Sequence, residues 1–265
     1  MRSADATAGD AARKAKAVHP AVAIRSTYHR RHGWSMMGGP GPDGARATPP
    51  AIAGTGRIDR RARLGALALL TAILVFAVTV AVALGTAGTT YDWRVNMLSD
   101  LGHSQCRSAA GRWICSPGFA LFNAGLVVTG LLLSGGGLAL GRVWGRVLAA
   151  SLVVMGLGLV LAGVFPAGDH DGVHLGGVVL ALVLPGMGLL LSAIRPEASW
   201  LVSHRLPRGV LGAVALVFCA ESRLPIGLLP RGAGEVIIVG CLLLAIVLEA
   251  ARLLAARPAQ PGWAG

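Results

Sequence analysis

Between Leu64 and Thr86 the chain carries no charged side chain. A helix needs about 20 mostly apolar residues to cross a bilayer, so this stretch is long enough to span one. Four more apolar stretches of similar kind follow: Gly118–Gly141, Val147–Phe165, His174–Ile194 and Glu235–Leu254. A sixth, Gly209–Ala220, is short, and reaches about Leu229 only by taking in Glu221 and Arg223. The expected fold class is therefore all-α, a polytopic transmembrane helical bundle of about six spans. Composition agrees with this reading. Charged residues make up 14% of the chain and mean hydropathy is +0.65, whereas a soluble domain carries about 25% charged residues.

The charge that remains is unevenly placed. Half of the 24 Lys+Arg residues, including both lysines, precede Leu64. That segment is rich in Gly, Pro, Ala and Thr, as in Gly38-Gly39-Pro40-Gly41-Pro42 and Thr48-Pro49-Pro50, and has no sustained apolar period. It lacks the apolar surface that would offset the entropy of ordering it. Residues 1–63 are expected to be a disordered basic cytoplasmic tail. No apolar run of signal-peptide type follows its early charges, and no nucleic-acid-binding fold accompanies it, so nucleic acid is not an expected partner. Residues 64–255 form the expected six-helix domain and residues 256–265 a short cytoplasmic tail.

Cationic residues concentrate on the cytoplasmic side of membrane proteins. With a cytoplasmic N-terminus, the outside segments hold only Arg94, Arg107, Arg112, Arg223 and Arg231. Six spans then place both termini in the cytoplasm and the protein in the cell (plasma) membrane, with the lipid bilayer as its principal partner. Cys106 and Cys115 both fall in the first outside loop, where oxidation is permitted. A bridge between them would pin that loop over the bundle, although spacing alone does not fix the geometry a bridge requires. Cys219 and Cys241 read as small apolar fillers. Small residues recur in the spans at Gly125, Gly130, Gly135 to Gly137, Gly156, Gly158, Gly186 and Gly188, and are expected to let helices approach closely.

Ionisable groups away from the cytoplasmic flanks gather at the outer face. Arg94, Arg107, Arg112 and Arg231 read as loop residues in water. Two clusters stand apart. In Asn96-Met97-Leu98-Ser99-Asp100-Leu101-Gly102-His103, Ser99 and Asp100 are able to cap a helix. If the stretch is helical, Asn96, Ser99 and His103 share a face. In Asp169-His170-Asp171-Gly172-Val173-His174, the histidines are spaced i, i+4, which puts two imidazoles on one helix face for a metal. Asp169 or Asp171 is the candidate third ligand or ring-orienting partner.

At these clusters the sequence resembles a bacterial integral membrane family catalogued as domain of unknown function 998. The resemblance rests on Asn96 through Gly102 after the first span and Phe122-Asn123 early in the second. Gly163-Val164-Phe165-Pro166 at the end of the third span and His174 at the start of the fourth complete it. It covers about residues 64–255 and implies a six-helix membrane architecture without an established activity. Members of the family often carry an acidic residue beside an arginine near the last outside loop. Glu221, Arg223 and Glu235 are the candidates here, none of them an adjacent Glu-Arg. A looser likeness is to the membrane hydrolase superfamily of the alkaline ceramidases, which combines Ser, Asp and His around zinc at one membrane face. This chain departs from it in having six expected spans and no His in the last.

Two functions follow. In the first, the outer-face cluster packs the bundle or binds a small ligand, as in a transporter, sensor or assembly partner. In the second, the protein is a metal-assisted hydrolase acting on a lipid or small amphiphile. His170, His174 and Asp169 would then hold Zn²⁺, with Ser99, Asp100 and His103 as catalytic groups.

Overall fold

The structure, a computed structural model, describes residues 60–109, 111–194, 205–222 and 229–255. The tail expected over residues 1–63 lies outside the described residues up to position 59, as do residues 256–265. Arg60 to Arg63 belong instead to the first turn of a helix, where Ala62 is fully buried and the Arg61 guanidinium reaches the Leu138 carbonyl at 3.4 Å. The apolar face therefore begins before the last arginines do, and they flank it.

Seven α-helices make up most of the described chain: α1 Arg60–Ala87, α2 Phe119–Trp144, α3 Arg146–Val164, α4 Asp171–Val178, α5 Leu184–Ile194, α6 Arg205–Glu221 and α7 Arg231–Ala255. Val179–Val183 is a π-helical turn that joins α4 to α5 in one continuous rod. Pro185 accounts for that turn. It has no N–H, and its ring would press on the carbonyl four residues back, so the preceding turn widens and Leu184 N–H bonds to the Val179 carbonyl instead.

Helices adjacent in sequence pack side by side, and α7 returns to pack against α1, so the bundle closes on itself. Gly145, at φ 85°, is the single residue between α2 and α3. That conformation costs glycine nothing and ends α2 sharply. One end of the bundle carries the long segment 88–118 with the turn at 165–170, the end of α6 and the start of α7; we call this the loop end, and the opposite one the terminal end.

Among the described residues five stretches are long and apolar enough to cross a membrane: Arg60–Thr90, Phe119–Trp144, Arg146–Val164, Asp171–Ile194 and Gly232–Ala255. The expected fifth span differs. It does not extend forward towards Leu229 but backward to Arg205, ending at Glu221. Its 17 residues reach about 25 Å, short of a hydrocarbon core of about 30 Å. The reason lies in Arg208, which looks like a loop charge in the sequence. It is buried, and its Nε lies 3.4 Å from the Glu249 carboxylate of α7, which Arg252 also approaches at 3.5 Å. A matched charge can enter a bundle that an unmatched one cannot.

Large side chains such as Leu74, Leu131, Leu138, Val217 and Leu206 point outward from the helices, as apolar solvent demands. Inward, backbones meet at glycines. A Cβ on Gly156 would run into the Gly130 carbonyl, and one on Gly158 into the backbone of Gly177 and Ala181. Gly135, grouped with these in the sequence, has open space around it. We therefore expect Gly156→Leu to lower stability by about 3 kcal/mol through overpacking, and Gly135→Leu to change it by no more than about 0.5 kcal/mol. Unfolding midpoints of the two detergent-solubilised variants check this, and equal losses would contradict the packing described.

Candidate functional site

Segment 88–118 lies across the loop end, held by its own polar groups. After α1 and a 3-10 turn at Gly88–Thr90, a second 3-10 turn spans Leu98–Gly102. It leads into a short antiparallel hairpin, β1 Arg107–Ala109 and β2 Arg112–Ile114. Cys106 and Cys115, just outside the two strands, are joined by a disulfide.

Asp100 is the hub of this cap. Its carboxylate takes two charged bonds from one arginine, Arg112 Nε to Oδ2 at 2.8 Å and Nη2 to Oδ1 at 2.9 Å. Oδ2 also accepts the Met97 N–H at 2.9 Å and the Asn96 amide at 3.4 Å. Both side chains of the pair are shielded, at 12% and 8% exposure. These bonds hold the Arg112 guanidinium above its ordinary pKa, against the opposing pull of burial. Asn96 ties the same knot to the hairpin by donating to the Trp113 carbonyl at 3.0 Å, while its own oxygen accepts the Asp92 N–H.

The turn is then fastened to the helices. Ser116 donates to the Leu101 carbonyl at 2.6 Å and Asn123 of α2 to the Gly102 carbonyl at 2.8 Å. Position 102 must be glycine because a Cβ there would meet the Asn123 amide and the Phe122 ring. Leu101 fills the space beneath, in a cluster with Ala83, Phe122, Leu126 and Ala162.

Below the cap lies a cavity of about 390 Å³. It sits between α4 with its π-turn on one side and the ends of α6 and α7 on the other. Leu175, Val178, Val179, Leu182 and Val183 form one apolar wall, and Ile238 and Cys219 face it. The polar groups enter from above: Ser99 and Asp100 from the 3-10 turn, His103 after it, His174 from α4 and Glu235 from the first turn of α7.

The two histidines share an unusual state. The His174 ring is buried, and its Nδ1 lies 3.1 Å from the Ala162 carbonyl and 3.2 Å from that of Phe165, at the end of α3. Both are acceptors, so Nδ1 carries the proton. His103 is buried too, with Nδ1 2.7 Å from the Gln105 carbonyl and 3.2 Å from the Gln105 N–H, so either tautomer finds a partner there. On His174 this leaves a bare lone pair on Nε2, and on neither ring does Nε2 find a hydrogen-bond partner among the described residues. A buried unsatisfied polar atom costs about 1–3 kcal/mol.

Glu235 reaches the cavity because α7 begins close under the cap. A Cβ on Gly232 would strike the backbone oxygens of Trp93 and Asn96. The carboxylate accepts the Ser99 N–H at 3.3 Å, with the Leu98 N–H and the Ser99 hydroxyl also turned towards it. Nearby Tyr91 donates to the Asn96 carbonyl at 3.4 Å. Burial, with the Glu235 and Asp100 carboxylates beside it, pushes its phenol up to about 12.

The cluster expected to hold a metal is laid out otherwise. His170 stands before α4 rather than within it, exposed, with its ring edge-on to Phe165 at 5.5 Å, whereas His174 turns inward. The i, i+4 spacing does not become one helix face, because the helix starts at Asp171. Asp169 is exposed and accepts from the Gln105 amide at 3.1 Å. Asp171 accepts the Gly168 N–H at 2.6 Å, where glycine adopts φ 98°, and pairs with Arg107 at 3.1 Å on the surface. Among the described residues no three His, Cys, Asp or Glu groups converge as a metal would require.

The helical face expected for Asn96, Ser99 and His103 is also not formed, since the turn is short, 3-10 and ends before His103. Ser99 and His103 nevertheless meet at the cavity, while Asn96 turns to the hairpin. Glu221 is buried at the end of α6, facing Gly234 of α7. Arg223 lies outside the described residues. Arg112 is the residue that sequence reasoning missed, read there as a loop cation in water. A buried carboxylate demands a matching cation, and an arginine between two bridged cysteines is held where it can serve.

No family model, curated protein or solved structure matches this chain.

The pair predicts its own removal. Asp100→Asn leaves a shielded guanidinium without its counter-charge and should cost about 3 kcal/mol of stability. Arg112→Lys should recover little of the native stability, since an ammonium cannot supply two parallel bonds. Thermal unfolding of the purified variants decides this; a wild-type midpoint for Asp100→Asn would refute the role assigned to the pair.

Proposed function

We propose that the protein is a six-span protein of the cell membrane, with both termini cytoplasmic, whose outward loop end binds a small amphiphile. The observation that carries this reading is the pair of buried imidazole Nε2 atoms without a partner on His103 and His174, two residues that line one cavity. Packing alone does not account for them. A fold that needed these histidines only as filler would have satisfied both nitrogens or chosen apolar side chains, because each orphan works against stability. A bound molecule removes the penalty.

The orientation is supported by the arginine distribution and by the Cys106–Cys115 bridge, which belongs on an oxidising side. Kinship with the domain of unknown function 998 family is proposed on the motif residues alone; of these, Asn123 donates to Gly102 and Phe122 packs against Leu101. The hydrolase alternative draws little. Asp100 is already engaged by Arg112, Met97 and Asn96, with three of its four contacts on Oδ2. His170, His174 and Asp169 are directed apart.

Two measurements test the reading. In intact cells, Val95→Cys at the loop end should be labelled by a membrane-impermeant maleimide; labelling only after lysis would reverse the orientation. Val179→Trp should fill the cavity. Native mass spectrometry of wild-type protein extracted from cells should show an adduct of a few hundred daltons that Val179→Trp lacks and the outward-facing Leu131→Trp retains. An adduct retained in all three would place the molecule elsewhere.

A further inference from the structure

Resting on that reading, we infer that the cavity opens sideways into the bilayer, between α4 and the ends of α6 and α7, and that its occupant is an acyl chain of an outer-leaflet lipid. The shape of the cavity and the medium against each of its sides carry the argument.

The shape comes from the path of one rod. Through α5 the rod packs on α6, at the π-turn it still touches α6 and α7, and at α4 it rests on α3. It therefore leans away from α6 and α7 as it approaches the loop end, with the π-turn at the apex of the gap. A widened turn is one of the places where a helix leaves its straight path. Leu175 and Val178 of α4 line one side of the gap together with the π-turn, and Cys219, Ser222 and Ile238 line the other.

The gap is closed towards water. Above it, the segment after His103 is stitched to the turn that precedes α4. The Ser104 N–H and hydroxyl both reach the Ala167 carbonyl, at 3.1 and 3.3 Å. Gln105 donates to Asp169, and Arg107 pairs with Asp171, each at 3.1 Å. The shielded Arg112–Asp100 pair holds the hairpin to the 3-10 turn beside this seam.

On its flank the gap is open. Leu175 is 43% and Val179 37% accessible, and Ser222 across from them is exposed as well. Leu175 and Val179 belong to the membrane-spanning stretch Asp171–Ile194. At 1.5 Å per residue, Val179 lies about 12 Å into that stretch from the loop end. That is well inside a hydrocarbon core about 30 Å thick, so the medium against this flank is acyl chain. The length agrees: from Leu175 to Val183 the apolar wall runs about 12 Å, close to the depth of about 15 Å that one leaflet supplies. A ligand from water would have to part the seam above, whereas a lipid chain has to swing sideways. Left empty, the gap forfeits dispersion contact along both walls, and a chain lying in it restores that contact.

Photolabelling tests this. Full-length protein is placed in phosphatidylcholine vesicles that contain a phosphatidylcholine with a diazirine midway along one chain. After illumination, peptide mass spectrometry compares Leu182 and Ile238, inside the gap, with Val128, exposed on α2. Labelling inside the gap should come within about tenfold of that at Val128, as direct contact with a chain requires. Val179→Trp should lower it by about tenfold or more, because the indole takes the space of the chain, and leave Val128 unchanged. Leu131→Trp should leave both unchanged.

Wild-type labelling inside the gap that falls further below Val128 overturns the inference. Labelling that survives in folded Val179→Trp overturns it too. These failures are distinct from failure of the broader reading. A native adduct that Val179→Trp loses, with neither Leu182 nor Ile238 labelled, keeps the cavity as a binding site and assigns its ligand to water rather than to the bilayer. Absence of both adduct and label removes both readings. Should Val179→Trp fail to fold, the ratio of labelling inside the gap to that at Val128 on wild-type protein still decides the matter.

Discussion

The loop end of this bundle depends on one ion pair. Asp100 and Arg112 come from segments separated by a turn and a strand, and the pair locks both to the top of the helices. Taking two charges out of water is costly, and only close, two-point geometry with the remaining lone pairs filled makes it worthwhile. Here Met97 and Asn96 add two further donors, both to Oδ2. Once the turn at Leu98–Gly102 is fixed, its consequences follow in order. Leu101 drops into the core, Gly102 meets Asn123, His103 is swung over the cavity, and the N–H groups of Leu98 and Ser99 are presented to Glu235.

Hydropathy made most of the bundle legible in the sequence, because a lipid-facing helix must be apolar over its own length and that is a local property. The limits of α1, α2, α3 and α7 lie within a few residues of the apolar runs. The exception is α6, where a local criterion was bound to misplace the helix. Arg208 enters the bundle only because Glu249, on a different helix, is there to meet it, and such a contact leaves no trace in a hydropathy window. Pro185 likewise sits inside an apolar run without breaking it, its cost taken up by a wider turn.

The site was legible by residue type but not by arrangement. The gathering of Ser99, Asp100, His103, His174 and Glu235 at one end of the chain's path pointed to the loop end, where all five line one cavity. Their roles turned on backbone geometry that spacing cannot give. One residue decides the fate of the histidine pair. Because α4 begins at Asp171, His170 falls outside the helix and an i, i+4 pattern never becomes a shared face. Asp100, attractive as a base by its burial, proves to be occupied. Arg112, dismissed as a loop cation, occupies it.

The distribution of buried charge gives the cavity its character. At the terminal end Glu249 stands between Arg208 and Arg252. At the loop end Asp100 has Arg112. In both places a carboxylate within the helical body is met by guanidinium, as a low-dielectric interior requires. Glu235, at the start of α7, makes no direct ion pair among the described contacts: it accepts the N–H of Ser99 and lies within the field of the Arg112 guanidinium that Asp100 holds. The pair that fixes the cap thus also sets the charge above the cavity, while valines and leucines of α4 and its π-turn leave the opposite wall apolar.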